Sequence, residues 1–282
     1  MSGLSARAGA GLPEMIVALA LGAIVSAAGA TALVGVERYT RIARGSASAR
    51  RTLREAEAVL ASELRAAVSD SVHVRGDTAV DFPGLVGVSV VCVASGTVLV
   101  LPPDVASGGH PYSAWRASPE PGDLVGVFDT TGGGVWRAGT VDSVSSRSDG
   151  AGCTPASGLL SAADSAARRA STRIVLRSAL PGAPASAGSP VQIVRSARYA
   201  LTRSADGGWS LSYRRCDGGS CGTAQPVAGP FATPGGAGLG FAPGSGSGEL
   251  VATLRALPVV SGTSPIADTI HIALRNRAAG VP

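Results

Sequence analysis

The chain has 282 residues, 45% of them hydrophobic, which excludes a disordered tail and suffices for one domain of ordinary to large size or two small ones. Aromatics make up only 4%, while glycines number 39 and prolines 18, so a globular domain with many turns and long loops is expected. The formal net charge of +5 comes from scattered arginines whose densest clusters are Arg50-Arg51, Arg168-Arg169 and Arg214-Arg215, and it reads as solvated surface rather than as a nucleic-acid-binding face.

The first segment, Met1 to Gly9, is short and polar and carries Arg7 but no acid. Ala10-Gly11-Leu12-Pro13-Glu14 follows, and from Met15 to Val36 there is no charged residue. Those 22 residues give roughly 33 Å of α-helix, enough to cross a bilayer core of about 30 Å. A secretory signal peptide has a shorter apolar region and is cut after it. A plain signal anchor accounts for the apolar run but not for Glu14 at its head, since an acid beside a membrane span is costly without a partner.

The stretch from Gly9 to Ala20 resembles the signal of type IV prepilins and of type II secretion pseudopilins. In that family a short basic leader ends in glycine, a hydrophobic or small residue becomes the new N-terminus, and a glutamate stands four residues further on. The apolar helix is kept after the cut. The resemblance implies that prepilin peptidase cuts between Gly9 and Ala10, that Ala10 is N-methylated, and that Glu14 helps dock the subunit into a filament. In the family, the glutamate pairs with the freed N-terminal amine of a neighbouring subunit, and a cation nearby strongly favours a carboxylate in a low-dielectric setting. Two departures are Ala10, where the family usually has Phe, Met or Leu, and Gly11 in place of the common Thr. A cut after Gly11 is the alternative, but it would bring Glu14 too close to the new terminus for that pairing. Pro13 sits in the first helical turn, where a missing N–H costs little.

Beyond Arg38 the helical pattern persists. Leu53, Ala56, Leu60, Leu64 and Ala67 recur at three- and four-residue spacing, with Arg51, Arg54, Glu55, Glu57 and Glu63 mostly off that stripe. Gly29, Gly35 and Gly45 each cost about 1 kcal/mol against Ala in a helix interior. One long helix over about 12–69 is expected, with a bend near Gly45-Ser46.

After Asp70 the pattern turns to short β-rich runs: Val86–Ala94, Thr97–Leu101, Leu124–Phe128, Val135–Val144, Arg173–Leu176, Val191–Leu201, Trp209–Arg214, Glu249–Pro258 and Thr269–Asn276. Asp206-Gly207-Gly208 reads as a hairpin turn. Long loops are expected over 102–122, 145–171, 178–190 and 228–248. Arg198–Leu201, Trp209–Cys216 and Val251–Ala256 loosely resemble sheet segments of J-type pseudopilins and PilW-like pilus assembly proteins. The expected fold class is therefore α+β and pilin-like: a long N-terminal helix, half in the membrane and half amphipathic, packed on an antiparallel β-rich domain. The expected divisions are a leader at 1–9, a transmembrane helix at 10–36, its amphipathic continuation at 37–69, and a β-rich periplasmic domain at 70–282.

Four cysteines, Cys92, Cys153, Cys216 and Cys221, allow either disulfides or a zinc site. Outside the cytoplasmic membrane oxidation is the default. Cys216–Cys221 is the favoured pair, with Cys92–Cys153 as a second. His73, His110 and His271 are far apart and lack metal-ligand spacing. Asp123 and Asp129 flank one strand and read as solvated strand ends, with calcium as the alternative. The glycine-rich stretches Gly132–Gly134 and Gly244–Gly248 lack the lysine of a phosphate-binding loop. No catalytic residue, cofactor or metal is expected.

The resemblance implies a structural, non-enzymatic subunit of a type IV pilus or a type II secretion pseudopilus. Its implied partners are prepilin peptidase, other pilins or pseudopilins, and the inner-membrane assembly platform. Its implied place is the bacterial inner membrane, in a single pass with the C-terminal domain in the periplasm. The alternatives are an exposed binding module, such as an adhesin or a DNA-capturing minor pilin, and a membrane-anchored enzyme.

Overall fold

The computed structural model describes residues 11–67, 71–104, 112–129, 134–147, 153–154, 158–182, 185–204, 207–217, 220–234, 240–244, 248–258 and 264–274. It is an α+β structure: one long N-terminal helix and a large antiparallel sheet.

Helix α1 (Leu12–Leu64) runs 53 residues without interruption, through Gly29, Gly35 and Gly45. It closes in a turn in which the Arg65 N–H donates to Ala61 and the Ala67 N–H to Leu64. The expected last residues, 68 and 69, lie outside the described residues. The whole apolar stripe is buried: Leu53, Ala56, Leu60, Leu64 and Ala67. Off the stripe, Arg51 pairs with Glu55 one turn on, at 2.8 Å, on the solvent-facing side of the helix.

The strands follow in order: β1 (His73–Arg75), β2 (Ala79–Val90), β3 (Val93–Ser95), β4 (Val98–Leu101), β5 (Ala114–Trp115), β6 (Leu124–Asp129) and β7 (Val135–Arg147). After a short helix, α2 (Ala162–Ala166), come β8 (Ser171–Leu176), β9 (Pro190–Arg203), β10 (Trp209–Asp217), β11 (Ser220–Cys221), β12 (Gln225–Phe231), β13 (Gly240–Pro243), β14 (Glu249–Ala256) and β15 (Ile266–Ala273). The main hydrogen-bonded path is β13-β14-β12-β10-β9-β6-β7-β8-β4-β3, with β15 added beside β14 and β2 beside β9.

All nine β-rich runs contain strand, with two kinds of difference. The run expected over Val86–Ala94 is broken: β2 starts earlier and ends at Val90, and β3 begins at Val93. Segments expected as loops hold β5, α2, β13 and the second half of β12. The expected hairpin is present between β9 and β10, with Arg203 opposite Trp209. Gly207 takes a left-handed φ of 85°, open to glycine at no steric cost, and its N–H donates to Ser204. Asp206 lies outside the described residues.

Two hydrophobic cores share one face of β9. Alternation puts Val191, Ile193, Arg195, Ala197, Tyr199 and Leu201 on that face. Ala197, Tyr199 and Leu201 join Phe82, Leu211, Phe231, Leu254 and Ile272 around the buried half of α1. Val191 and Ile193 join Leu99, Val125, Val141 and Ile174 in the second core, which α1 does not enter.

Candidate functional site

The feature that packing inside the chain does not account for is the first half of α1. Nothing from residue 11 to residue 39 is buried or half-buried, and the first buried position is Gly45. Leu19 and Leu33 are 71% and 73% exposed. An 18-residue window here has a mean hydropathy of 2.2, and the helix is long and apolar enough to cross a membrane. Burying a leucine or valine side chain is worth about 1.5–3 kcal/mol, so this run is stable only against lipid or another apolar surface.

At its head the helix starts on Gly11, whose carbonyl accepts from the N–H groups of Glu14 and Met15. The Glu14 carboxylate folds back along the chain, and its Oε2 accepts from the Gly11 N–H at 3.1 Å. The acid thus satisfies one backbone donor left over at the helix start and faces the positive end of the helix dipole. Gly9 and Ala10 lie outside the described residues. At the exit of the apolar run, Glu37 pairs with Arg41 on the next turn.

All four cysteines are oxidised in pairs. Cys92 and Cys153, both buried beside Val100 and Leu160, are joined with Cα atoms 5.1 Å apart. Cys216 and Cys221 stand opposite each other on β10 and β11, with Cα atoms 4.0 Å apart. These pairings leave no thiolate for zinc. His271 is exposed on β15, with Nδ1 2.8 Å from Glu249. No cluster of metal-ligating side chains occurs among the described residues.

Asp123 and Asp129 are not solvated strand ends. Both are buried, and each faces a guanidinium. Arg137 holds Asp129 through Nε at 2.9 Å and through Nη2. Arg195 holds Asp123 with Nε and Nη2, and Arg215 reaches the neighbouring Glu120 and donates to the Pro121 carbonyl at 2.7 Å. The Asp123 carboxylate also accepts from the Glu120 N–H at 2.8 Å, closing the turn before β6. Gly122 in that turn has φ of 91°, and a Cβ there would stand 2.8 Å from the Asp217 carboxylate. This ion cluster lies between the two cores, where Arg195 follows Ile193 and precedes Ala197.

A cleft of about 370 Å³ opens beside it, lined by Glu63, Arg116, Arg195, Tyr199, Tyr213 and Gln225. Glu63 and Arg116 pair across it at 2.9 Å, tying the end of α1 to the bend directly after β5. Burial, and secondarily the charge of Glu63, pushes the Tyr199 phenol well above its ordinary range and keeps it protonated. A second cleft, of about 490 Å³, is lined by Trp115, Ser118, Val144 and Thr172 among others. The charged groups that line the first cleft are paired, Glu63 with Arg116 and Arg195 with Asp123.

Comparisons with protein-family models, with curated proteins and with solved structures find no match for this chain.

Proposed function

We propose that the protein is a structural subunit of a type IV pilus or a type II secretion pseudopilus, a minor pilin or pseudopilin. In this reading prepilin peptidase cuts after Gly9 and methylates Ala10, and the subunit joins a filament through α1. One observation carries the reading: a single helix exposes its first apolar half completely and packs its second half into a sheet domain. A subunit that moves from a membrane into a filament needs that division. The apolar half must be stable in lipid and then against other helices, while the domain stays folded on its own core. The Glu14 carboxylate at the head of that run and the two disulfides agree with it. The bacterial inner membrane, with the domain on the periplasmic side, is the location this reading assigns.

The experiment is a replacement of Gly9 by a bulky residue in cells that carry prepilin peptidase. The full-length precursor is expected to accumulate as a slower gel band. Normal processing of the Gly9 variant overturns the leader assignment, and with it the filament role.

A further inference from the structure

The face of the sheet turned away from α1 carries ionisable side chains in register across four strands. His73 on β1 stands opposite Asp81 on β2, Asp81 opposite Arg198 on β9, and Arg198 opposite Arg214 on β10. Their sequence neighbours Val80, Phe82, Ala197, Tyr199 and Tyr213 belong to the core around α1, so alternation puts the row on the opposite face.

The charges in this row do not balance. Asp81 serves two guanidiniums: Arg198 through Nη2 at 3.0 Å, and Arg75, which reaches in from β1 at 2.9 Å. Arg214 has no ion pair among the described residues. It faces Arg198, and like charges directly opposite each other destabilise a sheet. Its Nε is buried with no hydrogen-bond partner, so it bears the cost of lost hydration without compensation. A guanidinium presents a planar fork of donors suited to a carboxylate, and a turn of the side chain toward an arriving acid restores the missing bond.

We propose that this row is a docking surface for an acidic segment of a partner protein, which seats a carboxylate between Arg198 and Arg214. The row lies on a strand face, and neither arginine lines the two clefts described above. A small free anion would bury little there, whereas a protein segment brings its own contact area. Four strands span only about 14 Å, and Asp81 interrupts the positive charge, so the row is too short and too mixed to follow a phosphate backbone. The inference goes beyond the filament reading and does not depend on it.

The test uses the full chain in detergent micelles and a fluorescein-labelled hexaglutamate peptide, followed by fluorescence anisotropy. Saturable binding that weakens with added salt is expected. Arg214→Gln is expected to weaken it by about tenfold, and Arg214→Lys by less, because the lysine keeps the charge and loses the fork. Arg51→Gln, on the exposed side of α1, is expected to leave it unchanged. Arg214 holds no ion pair among the described residues and faces Arg198, so Arg214→Gln is expected to melt at or slightly above the temperature of the parent chain. Absence of saturable binding, or equal affinity in the parent and Arg214→Gln, overturns the proposal. Displacement of the peptide by equal concentrations of inorganic phosphate or single-stranded DNA also overturns it, in favour of a general anion site or a nucleic-acid surface.

Discussion

Arg195 grips the wholly buried carboxylate of Asp123 with two donors, Nε at 2.7 Å from one oxygen and Nη2 at 2.9 Å from the other. The pair joins β9 to the start of β6 at the place where one hydrophobic core gives way to the other. Two charges taken out of water gain little net stability as a pair, but removing one of them strands the other.

Asp123→Ala is therefore expected to destabilise the chain by about 3 kcal/mol, read from urea unfolding in micelles. The double variant Asp123→Leu with Arg195→Met is expected to lose less than the single one. A loss below about 1 kcal/mol for Asp123→Ala would show that water reaches the seam.

Asp81 sets a pH dependence. Its hydrogen bond from Arg198, aided by Arg75, holds its carboxyl below the usual carboxylate range. A group whose pKa is depressed in the folded state stabilises fully above its unfolded value, near 3.9, and loses that contribution as pH falls through the folded value. Asp81→Asn is expected to cost about 1 kcal/mol at neutral pH, the upper end for a solvent-screened pair, and to flatten the decline of stability below about pH 4. An unchanged acid limb in the variant would assign that decline to other carboxylates.

The two disulfides close loops of very different length. Cys92–Cys153 has a sequence separation of 61 and Cys216–Cys221 one of 5. Loop-closure entropy gives about 4 kcal/mol for the first and about 2 kcal/mol for the second. The Cys92→Ala/Cys153→Ala double variant is expected to melt well below the Cys216→Ala/Cys221→Ala variant. The reverse order in a thermal melt would show that strand pairing at the β10–β11 tip, not chain entropy, dominates.

Glu14 belongs to the filament reading. Glu14→Val is expected to leave processing at Gly9 intact and to reduce co-purification with other filament subunits severalfold. Its loss at the helix start costs at most about 1 kcal/mol, and the domain's melting temperature is expected not to move, because its core begins more than thirty residues away. Undiminished co-purification would remove the docking role.

The helix was legible in the sequence because two independent signals agree. An uncharged run sets its first half, and the Leu53–Ala67 stripe sets its second. Most strands were legible from β-branched runs. β12 was not, because Gly229 and Pro230 in its second half read as a loop, and proline removes a ladder donor. The strand survives there because its pairing with β10 is irregular, with register shifts around Leu211. α2 is too short for any period to show; its one signal is Ser161 followed three residues later by Asp164, whose N–H the serine caps at 2.9 Å. The ion cluster was illegible for a different reason. Asp123 and Arg195 are 72 positions apart, and no local pattern marks an aspartate that will be buried against a distant arginine. Arg214-Arg215 read as one solvated cluster, yet strand alternation sends the two side chains to opposite faces of the sheet.

The unbroken course of α1 makes the chain a lever. From Leu12 to Gly45 the helix extends about 50 Å at 1.5 Å per residue, and no loop intervenes before the domain is gripped. A tilt of about 10° at the head therefore swings the point of attachment sideways by roughly 9 Å. The domain has no joint at which to absorb that swing, so whatever holds Leu12–Val36 also dictates which way the distant sheet faces points.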